Sequence, residues 1–323
     1  MKRLRVGLAS WAHVHAAGLA RTLATLPQVE FTGSFDETGA AHDGPVHPTL
    51  DALLRASEAV VVASTNAAHR RDTEAAARAG VHVLCEKPLA TTIADALAMI
   101  DACRAANVQL GVALPVRSSP AVTALKEAIE RGTLGRIRAV RGTNPGQYPG
   151  RWFGDPIAAG GGAAMDHTVH LADALRWLLG DEFVRVHAEL GSFLYGLPVE
   201  DCGLLTLDLA GGAFASIDCG WSRPATYPTW GGVTMHVVGE RGTVDVDVFR
   251  QSLTHYDDAA GVTKQVGWGD DLNALMVGGF VDAILAGRPV PISGEDGLRS
   301  LEVVVAAYRS AELGRPVAIS EVA

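Results

Sequence analysis

LRVGLASWAHVHAAGLARTLATLPQVEFTGSFD, residues 4–36, opens on a short apolar run, passes through a loop of small residues, and then changes period. Leu4–Ala9 reads as a buried strand. Val14–Leu26 carries its apolar residues at helical spacing and stops before Pro27. Val29–Phe35 reads as a second strand and ends at Asp36. A strand, a helix and a strand in succession make a βαβ unit, the building block of a parallel sheet.

The same alternation continues outward. Leu50–Ala56 is a candidate helix and Ala59–Ala63 a buried strand. His69–Ala79 is helical and is stopped by Gly80. Val81–Cys85 is a strand, Ile93–Ala106 a helix, and Gln109–Leu114 a strand. This is the pattern of a doubly wound α/β sheet. After Arg117 the texture changes. Ala121–Arg131 reads as a helix. Longer alternating strands follow at Ile137–Gly142, Val184–Leu194, Gly203–Leu209, Ala213–Gly220, Thr234–Gly239, Thr243–Asp247 and Leu253–Tyr256. Alternation implies a mainly antiparallel sheet with one covered face. A glycine run and a helix, Gly160–Leu179, interrupt the strands, and helices near Asp271–Ala286 and Gly294–Leu313 close the chain. The expected architecture is α/β: a doubly wound parallel sheet over residues 1–118, then an α+β domain with a large open-faced sheet over residues 119–323.

The chain has 323 residues, 48 % of them hydrophobic, and 27 basic against 36 acidic groups give a net charge of −9. That balance, with no lysine or arginine cluster, argues against a nucleic-acid partner. Cys85, Cys103, Cys202 and Cys219 have no paired spacing and read as free thiols of a cytoplasmic protein. No signal peptide and no run of ~20 apolar residues for a membrane helix is seen.

The loop after the first strand occupies the place of a glycine-rich phosphate loop. Gly7 supplies the tight turn, while Ala9 and Ala12 stand at the other two glycine positions. Phosphates are bound by the backbone N–H groups at the helix start, and alanine keeps those. Ser10 offers a hydroxyl and Trp11 a flat face for a cofactor ring. A plain strand–turn–helix has the same pattern, so the loop alone is a weak signal. Asp36 ends the second strand, where an acidic residue accepts hydrogen bonds from a ribose diol. Glu37 and Thr38 follow it rather than arginine, which favours NAD over NADP. Taken alone, an aspartate there is often a turn residue.

HVLCEKPLATTIADA, residues 82–96, is more specific. Glu86 and Lys87 fall just past a buried strand, at the carboxyl edge where ligands bind in this architecture. Pro88 biases Lys87 toward an extended conformation, and a lysine held there stabilises developing alkoxide charge. A surface salt pair before a helix is the plainer reading. In GGGAAMDHTVHLADALRWLLG, residues 160–180, Asp166 and His170 share a helical face after a glycine run. Histidine carries protons near neutral pH, and a neighbouring carboxylate orients it. Asp166, His167, His170 and Asp173, with His13 or His15, also raise the question of a metal. His167 points off the shared face, and no metal is expected.

With these elements, STNAAH (64–69) and ALPVRSSPAV (113–122), the sequence resembles the Gfo/Idh/MocA family of NAD(P)-dependent oxidoreductases along nearly its whole length. The resemblance implies a Rossmann domain at the N-terminus. It implies Lys87 as the catalytic lysine and Asp166 with His170 as the acid/base pair. Ser64, Thr65, Asn66, His69 and Glu86 would line the cofactor groove with the loop residues Gly7, Ala9, Ser10, Trp11 and Ala12. Arg117 would lie near nicotinamide and substrate, and His15 falls at the family's histidine after the loop. His167 replaces a common glycine and is expected to shape the substrate pocket. Tyr148, Arg151 and Trp152 from the stretch 144–153, with residues 221–227, are the candidate substrate contacts. The expected function is hydride transfer between a nicotinamide cofactor and a secondary alcohol or ketone, of a sugar or polyol. Two alternatives stand beside it: a redox-neutral elimination or hydrolysis with tightly held NAD, and a non-catalytic dinucleotide-binding regulator. A homodimer or homotetramer through the C-terminal sheet is expected.

Overall fold

The computed structural model describes residues 2–40, 42, 44–227, 229–267 and 269–323. In chain order its elements are β1 (Leu4–Ala9), α1 (Ala16–Thr25), β2 (Val29–Phe35), α2 (Leu50–Ala56), β3 (Ala59–Val62), α3 (His69–Arg78), β4 (His82–Cys85), α4 (Ile93–Ala105) and β5 (Leu110–Val112). There follow α5 (Pro120–Glu130), β6 (Ile137–Pro145), α6 (Pro156–Ala159), α7 (Ala163–Leu179), β7 (Phe183–Gly191), β8 (Cys202–Leu209) and β9 (Phe214–Gly220). The chain ends with β10 (Thr234–Gly239), β11 (Gly242–Asp247), β12 (Ser252–Asp257), β13 (Val262–Gly267), α8 (Leu272–Leu285), α9 (Gly294–Leu313) and β14 (Val317–Ala318). Strands β13 and β14 lie outside the sequence expectation; β13 pairs only with β12, and β14 is too short to show a period.

The first sheet is parallel throughout, in the order β2-β1-β3-β4-β5. Its strands are buried on both faces, which is why AVVV at β3 is apolar without alternation. The order reverses beside β1, with β2 on one side and β3 on the other. In such sheets ligands bind at that reversal, outside the carboxyl ends of the strands. Residues 10–12, 64–66 and 86–87 all stand at those ends.

The second sheet has the order β11-β10-β6-β9-β8-β7-β14, antiparallel except between β6 and β9. Helix α7 packs on β6, β8 and β9, with Leu171, Leu175 and Leu178 in a core shared with Leu205, Leu207 and Ile217. Alternate residues of β8 and β9 face away from that core. There Leu204 is 54 % and Phe214 59 % exposed.

The compact units are not the two contiguous blocks read from the sequence. One comprises Met1–Pro115, Asp155–Gly160 and Asn273–Leu301, and the other Val116–Gly154, Gly161–Leu272 and Glu302–Ala323. The physical reason is apolar burial. Met276, Val277, Phe280 and Val281 of α8 join Val6, Leu8, Leu84 and other strand residues in the core of the parallel sheet. Gly111 of β5 also bridges to Ser293. Helix α9 contributes residues through Leu301 to the first unit and the rest to the second.

Gly7 sits where β1 approaches α2. A Cβ built there would lie 2.6 Å from Leu53 Cδ1 and 2.8 Å from Ser57 Oγ. Gly7→Ala is expected to lower stability by about 1–3 kcal/mol through overpacking, read as a fall in the denaturation midpoint. An unchanged midpoint would show that α2 gives way freely.

Candidate active site

In the first unit, the loop after β1 is held by its own hydrogen bonds and by bonds to the neighbouring strand ends. Ala12 N–H bonds the Ser10 hydroxyl oxygen at 3.1 Å, and His13 N–H bonds the Ala63 carbonyl at 2.9 Å. The left-handed residue of this loop is Ser10, with φ +74°. Ala9 and Ala12 lie outside that region of backbone space, so their methyl groups carry none of its strain.

At the end of β4, Glu86 and Lys87 are each 2 % exposed. Lys87 N–H donates to Glu86 Oε2 at 3.1 Å. Glu86 Oε1 lies 3.1 Å from His15 Nδ1 and 3.8 Å from His13 Nδ1. Burial by itself would push the Glu86 carboxyl up. The imidazoles of His13 and His15 and the Lys87 ammonium hold it well below the usual carboxylate range. The glutamate therefore anchors the loop after β1 to the end of β4. Ligand atoms of His13, His15 and Glu86 lie within 4.8 Å of one another. His13 Nδ1 accepts the His15 N–H at 3.2 Å.

His69 is buried, and its Nδ1–H donates to the Pro88 carbonyl at 2.9 Å. It supports the turn after Lys87, where the Lys87–Pro88 bond is cis. Burial pushes the His69 ring's proton affinity down. Asn66 Nδ2 donates to the Ala159 carbonyl at 2.8 Å, and Thr65 precedes it, half-buried. Ser64 Oγ, Asn66 Oδ1 and Trp11 Nε1 are buried polar atoms without a hydrogen-bond partner among the described residues. Such atoms call for a polar ligand or water, and they cluster at the strand ends where a dinucleotide would lie. The residues present thus fit the group that the sequence implies.

Asp36 is not open in the way the sequence suggests. Its Oδ1 accepts from Thr38 N–H at 2.8 Å and Thr38 Oγ1–H at 2.7 Å, and its Oδ2 takes the His42 ring. Burial raises the carboxyl; the bonds from His42 and Thr38 outweigh it and bring it below the usual value. His42 stacks flat on Trp11, with centroids 3.9 Å apart and 5° between planes. A ribose diol at Asp36 has to take the place of His42.

In the second unit, α7 carries Asp166, His167, His170 and Asp173. Its first turn is held by one residue of the segment before β8. Glu200 Oε1 accepts from Gly162 N–H and Ala164 N–H, each at 2.9 Å, and from Tyr308 Oη–H at 2.8 Å. Its backbone carbonyl accepts Ala163 N–H at 2.9 Å. Burial pushes the Glu200 carboxyl up against the pull of these bonds. Sequence reasoning missed both Glu200 and Tyr308, and no local pattern marks them.

Asp166 Oδ2 accepts Trp221 Nε1–H at 3.0 Å and lies 3.2 Å from His167 Nε2. The Tyr148 ring lies 4.9 Å from the Trp221 ring and 5.1 Å from the Tyr195 ring. The structure thus brings Asp166, His167, Trp221 and Tyr148 together. Arg151 is exposed at φ +55°, and Trp152 stacks on Phe153 at 4.1 Å. Arg117, read as a ligand contact, grips Asp173 in a buried fork, with Nε 2.7 Å from Oδ2 and Nη2 on Oδ1.

Known proteins match the chain in two stretches. Residues 14–114 match the oxidoreductase family NAD-binding Rossmann fold, and residues 122–245 match the GFO/IDH/MocA C-terminal domain. The myo-inositol 2-dehydrogenase of Thermotoga maritima is 31 % identical over 278 residues, 82 % of this chain and 80 % of that one. The 1,5-anhydro-D-fructose reductase of Ensifer adhaerens is 45 % identical over 128 residues, 39 % of this chain and 38 % of the reductase. Among solved structures, GenD2 from gentamicin A biosynthesis, in complex with NAD, superposes with a TM-score of 0.88 at 28 % identity over 98 % of this chain and 97 % of GenD2. The chain belongs to the Gfo/Idh/MocA family of oxidoreductases.

Because the Glu86 carboxyl is held low in the folded protein, the stability it contributes is present above its unfolded value of 4.5 and is lost as pH falls below it. Glu86→Gln is expected to cost about 1–3 kcal/mol at neutral pH and to flatten the acid side of the stability curve. Melting temperatures across the acid range test this; a parallel drop at every pH would disprove it.

Proposed function

We propose that the chain is an NAD-dependent dehydrogenase or reductase of a sugar or polyol, acting on a secondary alcohol or its ketone. The observation that carries this reading is the set of buried polar atoms left open at the strand ends, Ser64 Oγ, Asn66 Oδ1 and Trp11 Nε1, beside a buried Glu86–Lys87 pair. The relatives named above act on polyhydroxylated substrates, as their names state.

The bound dinucleotide supplies the hydride acceptor or donor. The helix start after β1, with Gly7, Ala9, Ser10, Trp11 and Ala12, faces its phosphates, and Ser64, Thr65, Asn66 and Glu86 line its groove. Asp36 takes the ribose diol. With Glu37 beside it, a 2′-phosphate meets two carboxylates, which favours NAD over NADP. Lys87 polarises the substrate oxygen, His170 takes or returns the hydroxyl proton, and Asp166 orients His170. Arg117, Tyr148, Arg151, Trp152 and His167 are assigned to the substrate side; Tyr148 has the clearest support, since it packs on the indole that holds Asp166. No metal takes part in this scheme. A cytoplasmic setting suits four cysteines that are all free, two of them, Cys103 and Cys219, pushed up to about 12 by burial.

Titration of the chain with NADH and NADPH, followed by tryptophan fluorescence, tests the cofactor. NADH should bind at least about tenfold tighter. A panel of sugars and polyols with NAD, read by nicotinamide absorbance, tests the reaction, and Lys87→Met should lower kcat by roughly 10²–10³-fold while leaving NADH affinity within a few-fold. Equal affinity for both cofactors, or turnover without change in nicotinamide absorbance, would overturn the corresponding part.

The outer face of β8 and β9, with Leu204 and Phe214 exposed, is proposed as the surface that joins copies into a homodimer or homotetramer. Sedimentation should show an oligomer that Phe214→Asp dissociates; a wild-type monomer would sink the idea.

A further inference from the structure

Ser10 takes a backbone conformation suited to glycine. Its φ is +74°, in the left-handed region that glycine enters without steric cost and a residue with a Cβ does not. It is also buried, with 2 % of its surface exposed. A strained residue persists where its surroundings hold it, and such residues gather at ligand sites.

What serine has and glycine lacks is a hydroxyl, and here the hydroxyl both accepts and donates. Oγ accepts Ala12 N–H at 3.1 Å and donates to Glu37 Oε1 at 2.9 Å. The Ser10 N–H donates to the Phe35 carbonyl at 2.8 Å. Ser10 is thus bonded to the residue before Asp36 and to the residue after it.

The two acidic residues at the end of β2 stand in different surroundings. Asp36 is buried, and its oxygens are taken by Thr38 and by the His42 ring. Glu37 is exposed. A glutamate in that position has many rotamers open to it, and the bond from Ser10 selects among them. A cation whose field reaches Glu37 is Arg71 of α3. Its guanidinium is forked on Asp72, with Nε 2.7 Å from Oδ1 and Nη2 3.1 Å from Oδ2.

We propose that Ser10 is a positioning residue for cofactor selection, whose hydroxyl pins the Glu37 carboxylate at the end of β2 so that a 2′-phosphate meets a fixed negative charge. The inference rests on the preference for NAD given above and on the general placement of the adenosine ribose at that strand end. A mobile glutamate turns away from a phosphate at little cost. A pinned one cannot, and like charges held together weaken binding strongly. Asp36, already bonded to Thr38 and His42, leaves this task to its neighbour.

Titration of the full chain with NADH and with NADPH, each followed by tryptophan fluorescence, reads the ratio of the two affinities without any substrate. Ser10→Gly keeps the left-handed backbone free of strain and removes the hydroxyl. The preference for NADH should fall by about tenfold, through tighter binding of NADPH. Glu37→Gln keeps an acceptor for Ser10 and removes the charge, and the same fall is expected. In the double variant the two effects should not add, because the serine acts through the glutamate. Should Ser10→Gly not fold, Ser10→Ala carries the same expectation. A preference that survives removal of the hydroxyl, or effects that add in full, overturns the role of Ser10. A preference that survives Glu37→Gln overturns the role of the pinned charge. Equal binding of both cofactors by the wild-type chain, or binding of neither, overturns the NAD reading and the proposal together, whereas a wild-type preference kept in every variant overturns the proposal alone.

Discussion

Glu200 converges on the start of α7 from outside the helix, and the placement of Asp166, His167 and Asp173 hangs on that grip. The first turn of a helix leaves peptide N–H groups without partners. Here one carboxylate oxygen and one peptide carbonyl of the same residue meet three of them, at Gly162, Ala163 and Ala164. The approach is so close that a Cβ on Gly162 would lie 1.9 Å from the Glu200 carbonyl oxygen. Tyr308 of α9 completes the set. With the first turn fixed in place and rotation, the directions of Asp166, His167 and Asp173 further along the helix are fixed as well. Trp221, the Asn144 carbonyl and Arg117 then each meet one of them.

Glu86 does the corresponding work in the other unit. It is a buried anion, and a buried anion persists only where opposite charge and hydrogen bonds surround it. His13 and His15 come from the loop after β1, and Lys87 follows it in the chain. One residue thus ties together the loop after β1 and the turn at Lys87. Below Lys87, His69 holds the Pro88 carbonyl. Both anchors, Glu86 and Glu200, are interior glutamates that position residues far apart in sequence.

The first sheet was legible because each of its strands is a short apolar run set between helical periods, and AVVV or HVLC admits no other reading in that order. Elements β1 to β5 and their helices therefore lie within a few residues of their expected bounds, as do the strands from β6 to β11. Unit composition was not legible. Nothing in FVDAILAG states that Phe280 packs near Gly111 rather than on the nearer strands; only the three-dimensional core decides it. Among the candidate site residues, the sequence singled out Glu86, Lys87, Asp166 and His167, while the groups that hold them escaped it. Trp221 and Asn144 were in stretches marked for substrate, yet their bonds to Asp166 and His167 depend on strand register. Asp36 was read as open because His42, six residues on, has no pattern that foretells its return. The three-glycine template directed attention to Ala9 and Ala12, whereas the left-handed backbone lies at Ser10.

The interleaving of the two units bears on how the chain is made. Synthesis runs from the N-terminus, and the parallel sheet emerges with its five strands well before Met276, Val277 and Phe280 of α8. Until those side chains arrive, the core they share with Leu19 and Leu23 of α1 is only partly filled. The second unit waits as well, for the end of α9 and for β14, which borders β7. Both cores therefore close only once α8, α9 and β14 have been made, through contacts of long sequence separation, which fold slowly.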